Sequence, residues 1–303
     1  MDELKSEVPC VFENEYCKRY TGKQAANFLK TKLIEESKFL DPQRGVTAVD
    51  KNRWEEAQRY ERRTWMDKCK DMVSDHNEHN CKRFGSFLLL KDLKFKRAIE
   101  LGCGPFTNMR LLLDCVDVKE TYLLDPLMES YLDHSYCSYR RSRLGGIIKC
   151  WPTLHELEKP IRFLKRKFLE CRIGGLWGRC VNLIPSAIEF YQTDLKFDLI
   201  VMINVLEHCQ DADAVLEKIL RIIAPGGILV FGEVMYEVDE VNRLSSIHYN
   251  AGHPLKVTYQ VIESYLSESF DTLMKSYYPT VQYCHGVYLK NTELYFIGKR
   301  KPF

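Results

Sequence analysis

Short apolar runs, each closed by a polar or acidic residue, recur from about residue 97 onward and alternate with stretches of helical period. Ala98-Ile99 leads into Glu100, Tyr122-Leu123-Leu124 ends at Asp125, and Phe197 to Ile203 ends at Asn204. Ile228 to Phe231 follows a turn, Ala224-Pro225-Gly226-Gly227. Runs this short and this apolar are predicted as buried strands. Asp211 to Ile223 is predicted as a helix with Asp211 as its N-cap. Ala212, Val215, Leu216, Ile219, Leu220, Ile222 and Ile223 supply its apolar positions. Alternating strands and helices predict an α/β sheet with helices on both faces.

The N-terminal part has a different rhythm. Thr21 to Leu40 is predicted as one helix, buried along Ala25, Phe28, Leu29, Leu33 and Ile34 and broken by Asp41-Pro42-Gln43-Arg44-Gly45. A second is predicted from Arg53 to about Met72. On it Trp54, Gln58, Glu61 and Trp65 stand at i, i+4, i+7 and i+11 and share one face. Two readings of that face stay open: a cover over a polar ligand, or ordinary packing with solvated polar edges. His76, Asn77, His79, Asn80 and Cys81 form a polar cluster expected to be a loop. Residues 1–84 are therefore expected to be a helical lid or extension, and 85–303 the α/β domain.

The segment Glu100-Leu-Gly-Cys-Gly-Pro-Phe-Thr-Asn108 joins the first of the apolar runs to a helix-like stretch, Met109 to Leu113. A strand, a glycine turn and a helix start form the corner of a doubly wound sheet where backbone approaches a nucleotide closely. Asp125 lies 23 residues after Gly102, near the offset of about 20 at which a strand-end carboxylate meets a ribose. The nicotinamide fingerprint wants a third glycine or alanine where Thr107 stands.

Composition narrows the class. The 303 residues are 45% hydrophobic with a formal charge of +2, enough for one large α/β domain with a helical addition. No run approaches the roughly 20 apolar residues of a membrane span. The opening Met1-Asp-Glu-Leu-Lys-Ser-Glu7 lacks the pattern of a signal peptide. The 12 cysteines are scattered with no Cys-x-x-Cys pair, so reduced thiols, a cytoplasmic setting and no metal are expected. The stretch 137–180 is too long for a plain crossover and carries eleven Lys or Arg against three acids, about +8. It reads as an insertion with three open roles: a solvated helix, recognition of an anionic small substrate, or contact with nucleic acid. The near-zero overall charge argues against a dedicated nucleic-acid binder.

Four ordered motifs, ELGCGP (100–105), LLDP (123–126), FDLIVMINVLEH (197–208) and APGGILVFGE (224–233), resemble those of class I S-adenosylmethionine-dependent methyltransferases. The resemblance spans roughly residues 85–300 outside the insertion. It implies a Rossmann-like, doubly wound, seven-stranded sheet with the last strand antiparallel, the insertion falling between its second and third strands. It also implies S-adenosylmethionine as cofactor, held by Glu100, Gly102, Cys103, Gly104, Asp125, Pro126, Ser186, Ala187 and Asn204. Phe106 stands where the family often has a further glycine.

The Asn-Val-Leu-Glu-His piece is similar to the branch acting on small molecules, which makes O-methylation of a sugar, glycan precursor or secondary metabolite the expected reaction. RNA methylation and a catalytically silent cofactor-binding protein are the alternatives. An oxygen acceptor of high pKa benefits from a general base, for which His208, His248, His253 and Glu233 are the candidates. Trp54, Gln58, Glu61, Trp65 and Tyr249 are expected to bind substrate, a small molecule possibly anionic.

Overall fold

The computed structural model describes residues 22–74, 78–139, 181–284 and 287–302. Nearly all of the basic insertion lies outside these residues, as do His76 and Asn77 of the polar cluster.

Strands β1 to β9 run over Gly45–Val46, Lys94–Leu101, Asp117–Leu124, Val181–Ile184, Phe197–Ile203, Ile223–Met235, Lys256–Val257, Phe270–Cys284 and Val287–Arg300. Seven of them form one sheet in the order β4-β3-β2-β5-β6-β9-β8. The pairs β2–β3, β2–β5, β3–β4 and β5–β6 are parallel, while β9 is antiparallel to both β6 and β8. The chain therefore winds outward in one direction from β2 and in the other from β5. The Rossmann-like sheet with its last strand antiparallel is as the resemblance implied.

Alternation along the strands divides the core between the two faces. Ile99, Leu101, Ile200, Met202, Leu229 and Phe231 pack on one side with Val215, Ile219, Ile262 and Leu266. Ala98, Val201, Ile203, Ile228 and Val230 pack on the other with Phe84, Phe87, Met109 and Leu112. Both faces are dry, which is why the strands read as continuous apolar runs.

The helices needed below are α1 (Gly22–Ser37), α2 (Lys51–Arg63), α3 (Glu78–Arg83), α4 (Met109–Leu112), α5 (Met128–Tyr131), α6 (Ala212–Ile222), α7 (Val238–Ile247) and α8 (Tyr259–Ser269). Asp211 caps α6, its side chain accepting from the N–H of Ala214. Three expectations change in detail. Ile34 is 56% exposed rather than on the buried face of α1. The second predicted helix is α-helical only to Arg63 and continues as a π turn over Thr64–Lys68. The polar cluster is not all loop, because Glu78–Arg83 is helical and buries Asn80.

The strand after Ala224-Pro-Gly-Gly is also longer than predicted. Phe197 pairs with Ile223 and Leu199 with Ile228, so the extra residues bulge out and the ladder continues to Met235.

The N-terminal segment is stitched into the domain. β1 pairs antiparallel with β7, and Val46 and Val49 join the core beside Ile99 and Phe231. The buried Glu36 carboxylate binds the Arg53 guanidinium at 3.2 Å and the Lys256 ammonium at 3.0 Å. Arg53 further donates to the carbonyls of Asn250 and Ala251. One buried ion cluster thus joins α1, α2, the loop before β7 and β7 itself. Among the described residues no helix is long and apolar enough to cross a membrane.

Candidate active site

A cleft of about 830 Å³ opens at the carboxyl ends of β2, β3 and β5, the edge where open α/β sheets bind ligands. The turn after β2 forms its floor. Gly102 has φ +69°, and a Cβ there would lie 2.4 Å from Cγ1 of Val205. The N–H groups of Gly102 and Cys103 both donate to the Leu124 carbonyl. Only glycine allows this conformation with β5 so close.

Asp125 sits beside the turn, its carboxylate accepting from the N–H of Gly104 at 3.0 Å and of Leu127 at 2.7 Å. Burial pushes its pKa up to about 6 against the pull of those two donors. Asn204, at the end of β5, is left-handed at φ +58° and donates its N–H to the Gly232 carbonyl at 2.7 Å. Asparagine tolerates that conformation better than most residues.

The opposite wall is α2 and its π turn. Trp54, Gln58, Glu61 and Trp65 all line the cleft. Gln58 donates to the His208 carbonyl at 3.0 Å, and the Trp65 indole donates to Glu61 at 2.6 Å. Phe106 is buried between Trp65 and His134, with ring centres 5.8 and 5.4 Å away. The residue that departs from the motif is therefore the one on which the helical arm rests.

Gly102, Cys103, Gly104, Asp125, Pro126, Ala187, Asn204 and His208 line the same cleft. Glu100 is not part of that lining. Its carboxylate is buried, accepts from the N–H groups of Asn108 at 2.8 Å and Met109 at 3.0 Å, and is bonded by the Thr107 hydroxyl. It closes the turn into α4, and burial raises its pKa to about 7 despite those donors. The Ser186 hydroxyl donates to the Ala187 carbonyl. Tyr131, Ile188, Glu189, Ile203, Val205 and Cys209 line the cleft without having been singled out in the sequence. They belong to apolar runs that look like core.

The four catalytic candidates separate. Behind His208 stand Glu207 and His253: the two rings are perpendicular with centres 4.5 Å apart, and Glu207 Oε2 is 3.4 Å from His253 Nδ1. Burial lowers the pKa of His208, but the carboxylates of Glu61, Glu207 and Glu233 outweigh it and the net shift is upward. Burial, then His208, hold His253 down to about 3. Glu233 is buried under the β5 end, accepting from the N–H groups of Val205 and Leu206 at 3.1 and 2.7 Å. Burial and Glu207 raise its pKa to about 8. His248 is buried at the end of α7, and Tyr249 packs with Leu29 under the Arg53 guanidinium, 4.7 Å from its ring centre. Neither contributes to the cleft lining.

Residues 73–277 match the model of the methyltransferase domain family. The chain belongs to that family. It is a class I methyltransferase domain whose cofactor is S-adenosylmethionine. Among solved structures, it is similar to the N-methyltransferase NodS from Bradyrhizobium japonicum WM9, crystallised with S-adenosylhomocysteine. The identity is 14% and the TM-score 0.49, over 83% of this chain and 100% of that one. It is also similar to the Burkholderia thailandensis 1,6-didemethyltoxoflavin-N1-methyltransferase, at 12% identity and TM-score 0.47 over 87% and 98% of the two chains. A putative methyltransferase from Bacillus halodurans C-125 has 12% identity and TM-score 0.48, covering 74% and 100%. A comparison with curated proteins finds no match.

The cleft of this methyltransferase fits the cofactor. Its lining joins bare glycine backbone at Gly102 and Gly104, the buried carboxylate of Asp125 and the apolar side chains of Leu127 and Ala187, a set suited to a nucleoside with a polar tail.

Proposed function

We propose that this methyltransferase transfers a methyl group to a hydroxyl of a small molecule held between the glycine turn and α2. The observation that carries the reading is the convergence of Trp54, Gln58, Glu61 and Trp65 on the cleft, opposite Asn204 and His208. Two indoles with an amide and a carboxylate between them suit a compact, partly polar acceptor. Their place on one wall of the cleft supports a small acceptor over a polymer.

S-adenosylmethionine supplies a methyl group already activated by its positive sulfur. The chain's own task is then to align the acceptor and keep water out. Gly102, Cys103 and Gly104 are assigned to the methionine half, Asp125 to the ribose hydroxyls, and Pro126, Leu127 and Ala187 to the adenine. Gln58 and Glu61 are assigned to bind the acceptor. His208 is the catalytic candidate in the cleft lining, and with Glu207 and His253 behind it promotes loss of the hydroxyl proton. Glu233 supports that group by fixing the backbone of Val205 and Leu206, which sets where His208 points. Tyr249 and His248 are assigned to holding the arm.

The test is methyl transfer from labelled S-adenosylmethionine into extract fractionated into small molecules, RNA and protein. Label in the small-molecule fraction, lost in His208→Ala while cofactor affinity is kept, is the expected result. Label in RNA or protein alone would overturn the reading.

A further inference from the structure

The Glu207, His208 and His253 side chains converge in a way that hydrogen bonding among themselves does not explain. Glu207 is 7% exposed, and among the described residues its carboxylate meets the two imidazoles, Oε2 at 3.4 Å from His253 Nδ1 and Oε1 at 3.9 Å from His208 Nε2. The Nδ1 of His208 lies 3.2 Å from the Gly252 carbonyl, which calls for an N–H there and, in the neutral ring, leaves Nε2 with a lone pair. The amide Nδ2 of Asn250 donates to Nδ1 of His253 at 3.0 Å, so that nitrogen carries a lone pair rather than a hydrogen, engaged by the amide until an ion takes the amide's place. A carboxylate and two imidazole nitrogens thus stand together, none of the three side chains hydrogen-bonded to another among the described residues. Lys256, at the start of β7, is committed to Glu36 at 3.0 Å.

One ligand atom from each of the three residues lies within 4.8 Å of the others. Ligands about 2.0–2.2 Å from a tetrahedral ion stand roughly 3.3–3.5 Å apart. The His253–Glu207 separation already matches that spacing, and His208 Nε2, 3.9 Å from the other Glu207 oxygen, joins them by a side-chain adjustment. The Gly252 carbonyl on His208 is the kind of outer contact that fixes the tautomer and orientation of a ligating histidine.

We propose that Glu207, His208 and His253 bind a divalent transition-metal ion, most naturally Zn²⁺, beside the acceptor end of the cleft. Two imidazoles with one carboxylate suit zinc and its first-row neighbours better than magnesium or calcium. Three protein ligands leave a further position open, as catalytic rather than structural zinc sites do. His208 lines the cleft, so that position faces the acceptor. A cation there lowers the pKa of an oxygen acid that reaches it. This catalytic use rests on the functional reading above, whereas the binding itself does not.

The full chain, stripped with a chelator, is titrated calorimetrically with Zn²⁺, Mn²⁺ and Mg²⁺, and with Co²⁺ followed by its visible absorption. The expected result is one equivalent of Zn²⁺ and Co²⁺ bound, with Mg²⁺ at least 100-fold weaker. Glu207→Gln and His253→Asn, both checked for native circular dichroism, each weaken Zn²⁺ by at least 100-fold. Absence of stoichiometric binding by every ion, or affinity unchanged in both variants, would overturn the site. Failure of the metal-loaded chain to bind S-adenosylmethionine would overturn the functional reading instead, leaving the metal titration standing.

Discussion

Trp65 on the helical arm meets Phe106 of the glycine turn edge-on, with ring centres 5.8 Å apart and planes at 63°. The contact joins one wall of the cleft to its floor, and it gives the irregular residue of the motif a use. Phe106→Ala should lower the unfolding midpoint, since truncating a buried phenylalanine costs about 3–5 kcal/mol. It should also weaken S-adenosylmethionine by on the order of tenfold, the scale of about 1.4 kcal/mol, because Trp65 loses its support. Phe106→Leu should recover most of the stability. Calorimetry on both variants checks this, and unchanged affinity in Phe106→Ala would show that Trp65 is held by other contacts.

Gly102→Ala should abolish cofactor binding. The left-handed conformation alone costs about 1–2 kcal/mol for a residue with a Cβ. The added carbon would lie 2.4 and 2.6 Å from the two methyls of Val205. The double variant Gly102→Ala with Val205→Ala removes the collision but not the backbone strain, so only part of the thermal stability should return. Full recovery would mean that φ at this position carries no cost.

Asp125 couples cofactor affinity to pH. To accept from ribose hydroxyls it must be ionised, and its pKa is raised to about 6, chiefly by burial. Affinity should be level from pH 7 to 8 and fall by about tenfold per unit well below 6. Asp125→Asn should weaken binding by roughly 1–3 kcal/mol at neutral pH and remove the acid limb. The stability sign is opposite. A carboxyl that holds its proton more firmly when folded favours folding below its ordinary pKa of 3.8. That contribution, about 3 kcal/mol for two pH units, is lost as pH rises from about 4 to 6. The cofactor-free Asp125→Asn variant should therefore melt above the parent at pH 8.

Glu36→Gln should be among the most damaging single changes. It would leave the buried Arg53 and Lys256 cations facing a neutral amide, and breaking such a cluster costs about 3–5 kcal/mol. Adding Lys256→Met should relieve part of the loss, because one uncompensated charge goes with it. Urea unfolding of the two variants measures the difference. Equal stability of Glu36→Gln and parent would show that the cluster contributes nothing net.

The strands, the capped helix α6, the glycine turn and the shared face of Trp54, Gln58, Glu61 and Trp65 were legible along the chain. Each depends on neighbours in sequence: a short apolar run, a period of 3.6, a cap three residues away, two glycines one residue apart. The order of motifs carried the sheet and the cofactor for the same reason. What the sequence could not separate was the roles of the two acids that close the first two apolar runs. Glu100 and Asp125 both end strands, yet one closes a buried turn and the other faces the cleft.

The rest belongs to tertiary structure, because it depends on atoms brought together from distant segments. Phe106 meeting Trp65, Glu36 between Arg53 and Lys256, and His253 against Glu207 each join residues that no local pattern connects. The sequence by itself determined a methyl-donor fold and most of its cofactor turn. Only the folded chain decided that the arm meets that turn, and that one carboxylate and two imidazoles converge beside the cleft.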